Sequence, residues 1–172
     1  PQFARTKAHQ DWMRSLLNGS KTLAGFTVDQ DVRWELVTGL TINGVFGESE
    51  IAEELERDNT ANGQKFAAAA RAAIPTPENK RATWDLLVGT EQYSNTLVNS
   101  ASLAFGRVND LSLLGQYLDE YHQSALDIWT RFSYKIAEYL LINLYPVQLA
   151  SAELAAATKA LIETEEVSSR PA

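Results

Sequence analysis

The sequence predicts an all-α fold of antiparallel helix pairs stacked as a HEAT- or armadillo-like α-solenoid, and three observations carry that prediction. Prolines are absent between Pro1 and Pro75 and again between Pro77 and Pro146, which permits long uninterrupted helices. Apolar residues recur at spacings of three and four, and the β-branched alternation of a strand never persists for more than a few residues. Turn signals are frequent enough to join about eight helices through short connections, which suits a bundle or a solenoid. Helix pairs in succession at 29–58 and 60–89 favour stacking, although no side-chain signature repeats at a fixed period.

The elements follow in order. The first helix is expected over 2–18, with Phe3, Trp12, Leu16 and Leu17 near one face, ending at Asn18-Gly19. After a loop to Val28, Asp29 is the N-cap of a helix carrying Val32, Leu36, Val37 and Leu40, which Asn43-Gly44 breaks. Residues 48–58 form a short helix with six acids and one arginine, whose only large apolar side chains are Ile51 and Leu55. Thr60 caps an alanine-rich helix that ends before Pro75, and Thr76-Pro77-Glu78 starts the next, carrying Trp84, Leu87 and Val88 as far as Gly89. A helix over about 92–104 follows. From Asp110, Leu114, Tyr117, Leu118, Tyr121, Ala125, Ile128, Trp129 and Phe132 form one broad stripe. Residues 134–144 are apolar on more than one side and are expected between neighbours, with Pro146 closing them. The last helix is expected over 149–164, before a frayed tail to Ala172. The expected organisation is one helical domain over 1–172: a leading helix and loop (1–28), helix pairs (29–148), and a last helix with its tail (149–172).

Composition excludes several function classes. Twenty-two acidic against 15 basic residues give a net charge of −7, so the attraction that drives binding to a phosphate backbone is missing and nucleic acid is not an expected partner. Without cysteine there is no disulfide framework, thiolate metal site or cysteine nucleophile. No apolar run reaches the roughly 20 residues of a membrane-spanning helix, and the first residues lack the apolar stretch of a secretory signal. A soluble, cytoplasmic protein with no membrane partner is therefore the expectation.

Motifs for chemistry are mostly missing. His9 and His122 are the only histidines; neither has a glutamate three residues before it, and His-Glu-x-x-His is absent. No Gly-x-Ser-x-Gly elbow or phosphate-binding glycine loop occurs. No catalytic, cofactor-binding or metal-binding residue is assigned in this chain, and the substrate-binding residues are left unknown. Asn18-Gly19-Ser20 matches the glycosylation triplet without a secretory signal to support it. The acids of 48–58 read either as a solvated helix surface or as a docking face for a cation or basic peptide. Trp12, Trp34, Trp84 and Trp129 each lie in an apolar helical pattern and are expected in the core, with a ligand cage as the other reading. Arg33, a cation near a helix start, opposes the macrodipole. It therefore needs an acid, Asp29 or one on another helix, unless it contacts substrate or a neighbouring domain.

The run Gly25-Phe-Thr-Val-Asp29-Gln-Asp31-Val-Arg33-Trp34-Glu-Leu36 is followed by Asp58-Asn-Thr60-Ala-Asn-Gly63 and by Ala72-Ala-Ile-Pro75 with Lys80 and Trp84. Tyr134-Lys-Ile136-Ala137 and Leu144-Tyr145-Pro146 complete the order. Together these resemble the C-terminal helical domain (the endoplasmic-reticulum aminopeptidase-like C-terminal domain) of aminopeptidase N-type zinc metallopeptidases, in particular their actinobacterial branch. The resemblance implies a non-catalytic domain of a larger chain whose upstream catalytic domain holds zinc and removes amino-terminal residues from peptides. This domain would then cover the active site and help form the substrate chamber, with that catalytic domain and peptide substrates as partners. The chain from Pro1 to Ala172 is accordingly expected to be a fragment. The alternative is a free-standing HEAT-like protein-interaction module, and a weaker third is a helical small-ligand sensor.

Overall fold

The computed structural model describes residues 5–89 and 93–164. Among them are nine α-helices and no named strand: α1 (Lys7–Leu17), α2 (Gln30–Ile42), α3 (Glu48–Arg57), α4 (Ala61–Ala72), α5 (Pro77–Gly89), α6 (Asn95–Phe105), α7 (Tyr117–Arg131), α8 (Tyr134–Asn143) and α9 (Ala152–Ile162). Short 3₁₀ turns occupy Leu111–Leu114 and Val147–Leu149. None of the described helices is long and apolar enough to cross a membrane.

Local chemistry sets the helix starts. Asp29, Thr60, Ser94, Ser133 and Ser151 each accept the N–H three residues on, as N-caps do. Thr76 Oγ1 accepts the Asn79 N–H at 3.2 Å, with Pro77 in the first turn. Beyond α2, Gly44 takes φ of 69°, a left-handed exit that a side chain would disfavour.

Three sequence expectations need correction. α1 starts at Lys7, because Thr6 accepts the His9 N–H and caps it there; Phe3 lies outside the described residues. The stripe from Asp110 is two elements, because Asp110 accepts the Ser112 N–H and caps a separate 3₁₀ turn, and α7 begins only at Tyr117. The last helix likewise begins at Ala152, behind the second 3₁₀ turn. The end of the expected tail, 165–172, lies outside the described residues. α8 does pack on α6 and α7, yet Tyr134 and Ile142 remain 61% and 66% exposed, so one side stays open.

The helices pack in pairs and alternate between two layers. α2, α4, α6 and α8 touch in sequence, with α4 against α6 the most extensive contact, while α1, α3, α5 and α7 pack on the outside of that row. The core has an aromatic part, in which the Trp84 and Tyr117 rings lie 4.9 Å apart and the Phe105 and Tyr117 rings 5.0 Å apart. A second part gathers Trp34, Val37, Ile51, Ala67 and Ala70, with Phe66 stacked on Trp34. The alanines of α4 are what let its neighbours approach closely. Met13, Leu16, Leu36 and Leu40 seat α1 on α2.

Lys80 joins the two parts. Its side chain is fully buried. Its Nζ donates at 2.7 Å to both Ala72 O and Phe105 O, the last carbonyls of α4 and α6, and lies 5.1 Å from the Phe105 ring centroid. Burial pushes the amine from its ordinary 10.5 down to about 8. A neutral amine still has two N–H donors, one for each carbonyl.

The sign of the resulting pH dependence is fixed. Between about pH 8 and 10.5 the unfolded chain holds the Lys80 proton and the folded chain does not, so stability from this group rises with pH across that window. Below about 8 both states carry the proton, and the buried charge withholds that stability. Urea denaturation at about pH 7.5 and 9.5 should show the wild type gaining on the order of 2 kcal/mol over Lys80→Met. Equal changes in the two proteins would contradict this.

Candidate functional site

Of the residues singled out in the sequence, Arg33, Trp34 and the run from Asp58 to Gly63 converge where α2, α3 and α4 meet. Arg33, in the first turn of α2, reaches across to α3. Its Nε donates to Glu54 Oε1 at 2.7 Å and its Nη2 to Glu54 Oε2 at 2.6 Å, a bidentate pair, while its Nη1 donates at 2.8 Å to Leu17 O at the end of α1. Gln30 Nε2 adds a fourth bond, to Glu54 Oε1, at 2.8 Å. The acid that balances Arg33 is thus on another helix, and Asp29 only caps α2. Burial pushes the Glu54 carboxyl up, but the hydrogen bonds from Arg33 and Gln30 outweigh it, and the group lies below its ordinary value.

One helical turn on, Trp34 Nε1 donates to Asp58 Oδ2 at 2.8 Å, and Thr60 Oγ1 donates to Asp58 Oδ1 at 2.7 Å. These two bonds, Thr60 first, hold the Asp58 carboxyl below its usual range. Thr60 Oγ1 also accepts the Gly63 N–H. Gly63 has no alternative side chain, because a Cβ there would lie 1.8 Å from the Asp58 carbonyl oxygen. The run from Asp58 to Gly63 is therefore a joint that fixes α4 to α2.

The reading of 48–58 as a solvated surface is corrected for two of its acids: Glu54 and Asp58 are buried, at 3% and 7% exposure. Two more are engaged, Glu48 with Arg71 at 2.6 Å and Glu50 with the Gly47 N–H at 2.9 Å. Glu53 and Glu56 have no ion-pair partner among the described residues. Nothing in the sequence marked Glu54 as the buried member, since its partner is 21 residues away. A weak signal existed in its place three residues after Ile51, on the inward edge of the helix.

The tryptophans form no cage. Trp34 and Trp84 are buried and Trp129 is half-buried, but Trp12 is 38% exposed with Lys21 Nζ 4.5 Å from its ring centroid, so its expected core position is corrected. His9 is exposed, on α1. His122 Nδ1 lies 2.8 Å from Leu118 O, which can only accept, so Nδ1 carries the proton; Nε2 lies 3.1 Å from Thr158 Oγ1. Among the described residues no three His, Cys, Asp or Glu side chains are placed to hold a metal ion, so zinc does not fit the described part of the chain. On the α2–α4–α6 layer a groove of about 590 Å³ is lined by Glu35, Lys65, Phe66, Leu103 and Arg107, and Leu103 is 63% exposed. It offers apolar surface and both signs of charge.

Comparison with known proteins adds two findings. The profile of the ERAP1-like C-terminal domain matches residues 3–171. Aminopeptidase N of Streptomyces lividans is 35% identical over 163 residues, which is 95% of this chain and 19% of that protein. The chain thus spans about a fifth of this relative's length.

Two substitutions test the joints. Arg33→Ala strands a buried carboxylate and should cost about 3 kcal/mol at neutral pH. Because the Glu54 pKa is depressed in the folded state, the pair stabilises above the ordinary carboxylate value and that contribution is lost as pH falls through the folded one. The penalty of Arg33→Ala should therefore shrink in acid, which paired denaturation curves at neutral pH and below about pH 4 would read. Gly63→Ala should lower the stability by about 2 kcal/mol or more, read as a lower urea midpoint at an unchanged slope, through the collision with the Asp58 carbonyl.

Proposed function

Because this chain belongs to the ERAP1-like C-terminal domain family, we propose that it is the non-catalytic C-terminal domain of an aminopeptidase N-type zinc peptidase. In that role it packs against an upstream catalytic domain of the same protein, covers the zinc site and helps enclose the chamber in which amino-terminal residues are removed from peptides. The observation that carries the reading is the 35% identity to an aminopeptidase N, which runs across 95% of this chain. The stacked helix pairs suit a cover of this kind, because rows of helices make a stiff curved wall that admits unfolded peptide and limits access of folded protein. The groove beside Phe66 and Leu103 is a surface such a wall could turn toward the chamber. Hydrolysis, zinc ligation and recognition of the peptide amine are assigned to residues outside this chain, and the proposed location is the cytoplasm.

The test is an assay of the chain alone. With zinc added, it should release no product from leucine p-nitroanilide above the buffer rate, whereas the whole protein should hydrolyse it. Activity in the isolated chain, or a parent protein without a zinc-peptidase domain, would overturn the proposal and favour the free-standing interaction module.

A further inference from the structure

Helices α1 and α3 flank α2 and leave between them a cleft of about 460 Å³, within the size range of small-molecule sites. Its floor is held in place. Glu54 is pinned by Arg33 and Gln30, and Arg33 is tied in turn to Leu17 O, so neither side chain is free to swing. Leu17, Val37 and Phe46 supply an apolar wall.

The rim carries both signs of charge, Arg14 and Arg57 beside Glu50 and Glu53. Glu53 and Arg57 are four residues apart on α3, where side chains are neighbours with Cβ atoms roughly 5–6 Å apart, and a Glu on the N-terminal side of a cation favours a direct pair. That pair is not made: Arg57 turns instead to Glu54, its Nε 3.9 Å from Glu54 Oε2 in a long ion pair, and Glu53 has no ion-pair partner among the described residues. On the α1 side Arg14 makes no close ion pair among the described residues; its guanidinium lies 5.5 Å from the Phe46 ring centroid and acts on Glu50 through space.

We propose that this cleft binds a free α-amino acid with an apolar side chain, its ammonium on Glu53 and its carboxylate on Arg57 and Arg14. With Arg14 and Arg57 on the rim beside Glu50 and Glu53, a lone cation or a lone anion meets like charge as well as unlike, whereas a ligand with both charges on one carbon meets opposite signs one helical turn apart. Each added residue in a peptide would move its two charges apart by up to about 3.3–3.6 Å and spoil that match. The side chain would lie against Phe46, Leu17 and Val37. The inference rests on residues of this chain and holds whether or not the chain belongs to a peptidase.

The experiment is a titration of the ¹⁵N-labelled 172-residue chain, followed by amide resonances, with L-leucine, isoamylamine, 4-methylpentanoate and trileucine. L-Leucine should give saturable shifts centred on Arg14, Asn18, Glu53 and Arg57, and the amine, the acid and the tripeptide should each bind at least tenfold more weakly. Glu53→Gln and Arg57→Gln, both at exposed positions, should each weaken L-leucine at least tenfold, while Lys159→Gln on α9 should not. Shifts that do not saturate, shifts centred elsewhere, equal or tighter binding of any of the other three compounds, or unchanged affinity in both cleft variants would overturn the proposal.

Discussion

Helices stacked side by side in one layer end on the same rim, where each leaves carbonyl groups that no further turn of helix can satisfy. The partial negative charges of those ends add unfavourably when they are adjacent. Here the rim where α4 and α6 end is closed over by the aromatic core, so water cannot supply donors. Lys80 meets this constraint with one side chain, placing its Nζ between Ala72 O and Phe105 O. Smaller donors do the same nearby: Asn109 Nδ2 reaches Ile42 O at 3.5 Å and Asn43 Oδ1 at 3.1 Å, and Gln148 Nε2 reaches Gly106 O at 3.3 Å. Lys80 thus links the ends of α4 and α6, whose close approach the alanines of α4 permit.

What the sequence revealed and what it hid follow from the range of the forces involved. Caps are local, since a Ser, Thr or Asp satisfies an N–H three residues away; for that reason the starts at Asp29, Thr60 and Pro77 were legible. The first helix was placed too early because Thr6 is also a capping residue, and apolar Phe3 before it resembled a continuation. The broad stripe after Asp110 was misjudged because a 3₁₀ turn keeps near-helical spacing for four residues, so Leu114 falls in register with Tyr117 without sharing its helix. The most distant partners of Arg33 and Lys80, by contrast, lie 21 and 25 residues away, and the local pattern marks only weakly which of the six acids in 48–58 turn inward. Trp12 shows the limit of periodicity from the other side: it sits at core spacing on the first described helix, where Lys21 lies over its ring and no apolar cluster takes it in.

Net charge is an equally poor guide to local potential. The chain carries −7, and the densest run of acids is 48–58, which suggests a negative surface. The structure distributes that charge internally: Glu54 to Arg33, Asp58 to Trp34 and Thr60, Glu48 to Arg71, Glu50 to the start of its own helix. Buried, hydrogen-bonded carboxylates contribute rigidity and register, while any steering of a charged ligand falls to the few groups left exposed and unpaired.

The residues that made the family recognisable are the ones that hold the helices together. Asp29 caps, Arg33 and Trp34 bridge to α3 and to the α3–α4 connection, Gly63 permits the close approach of α4, and Lys80 and Trp84 tie α5 to both parts of the core. A pattern of this kind is what a supporting domain should display. Its contribution is a fixed shape, so the positions least free to vary are joints, and they carry no chemistry of their own. Groups able to meet a ligand or a neighbouring domain, such as Glu53, Arg57, Leu103 and Arg107, lie outside every one of those motifs, on faces the joints hold in place. On the proposed reading, the recognisable residues serve function by keeping these exposed groups where they are.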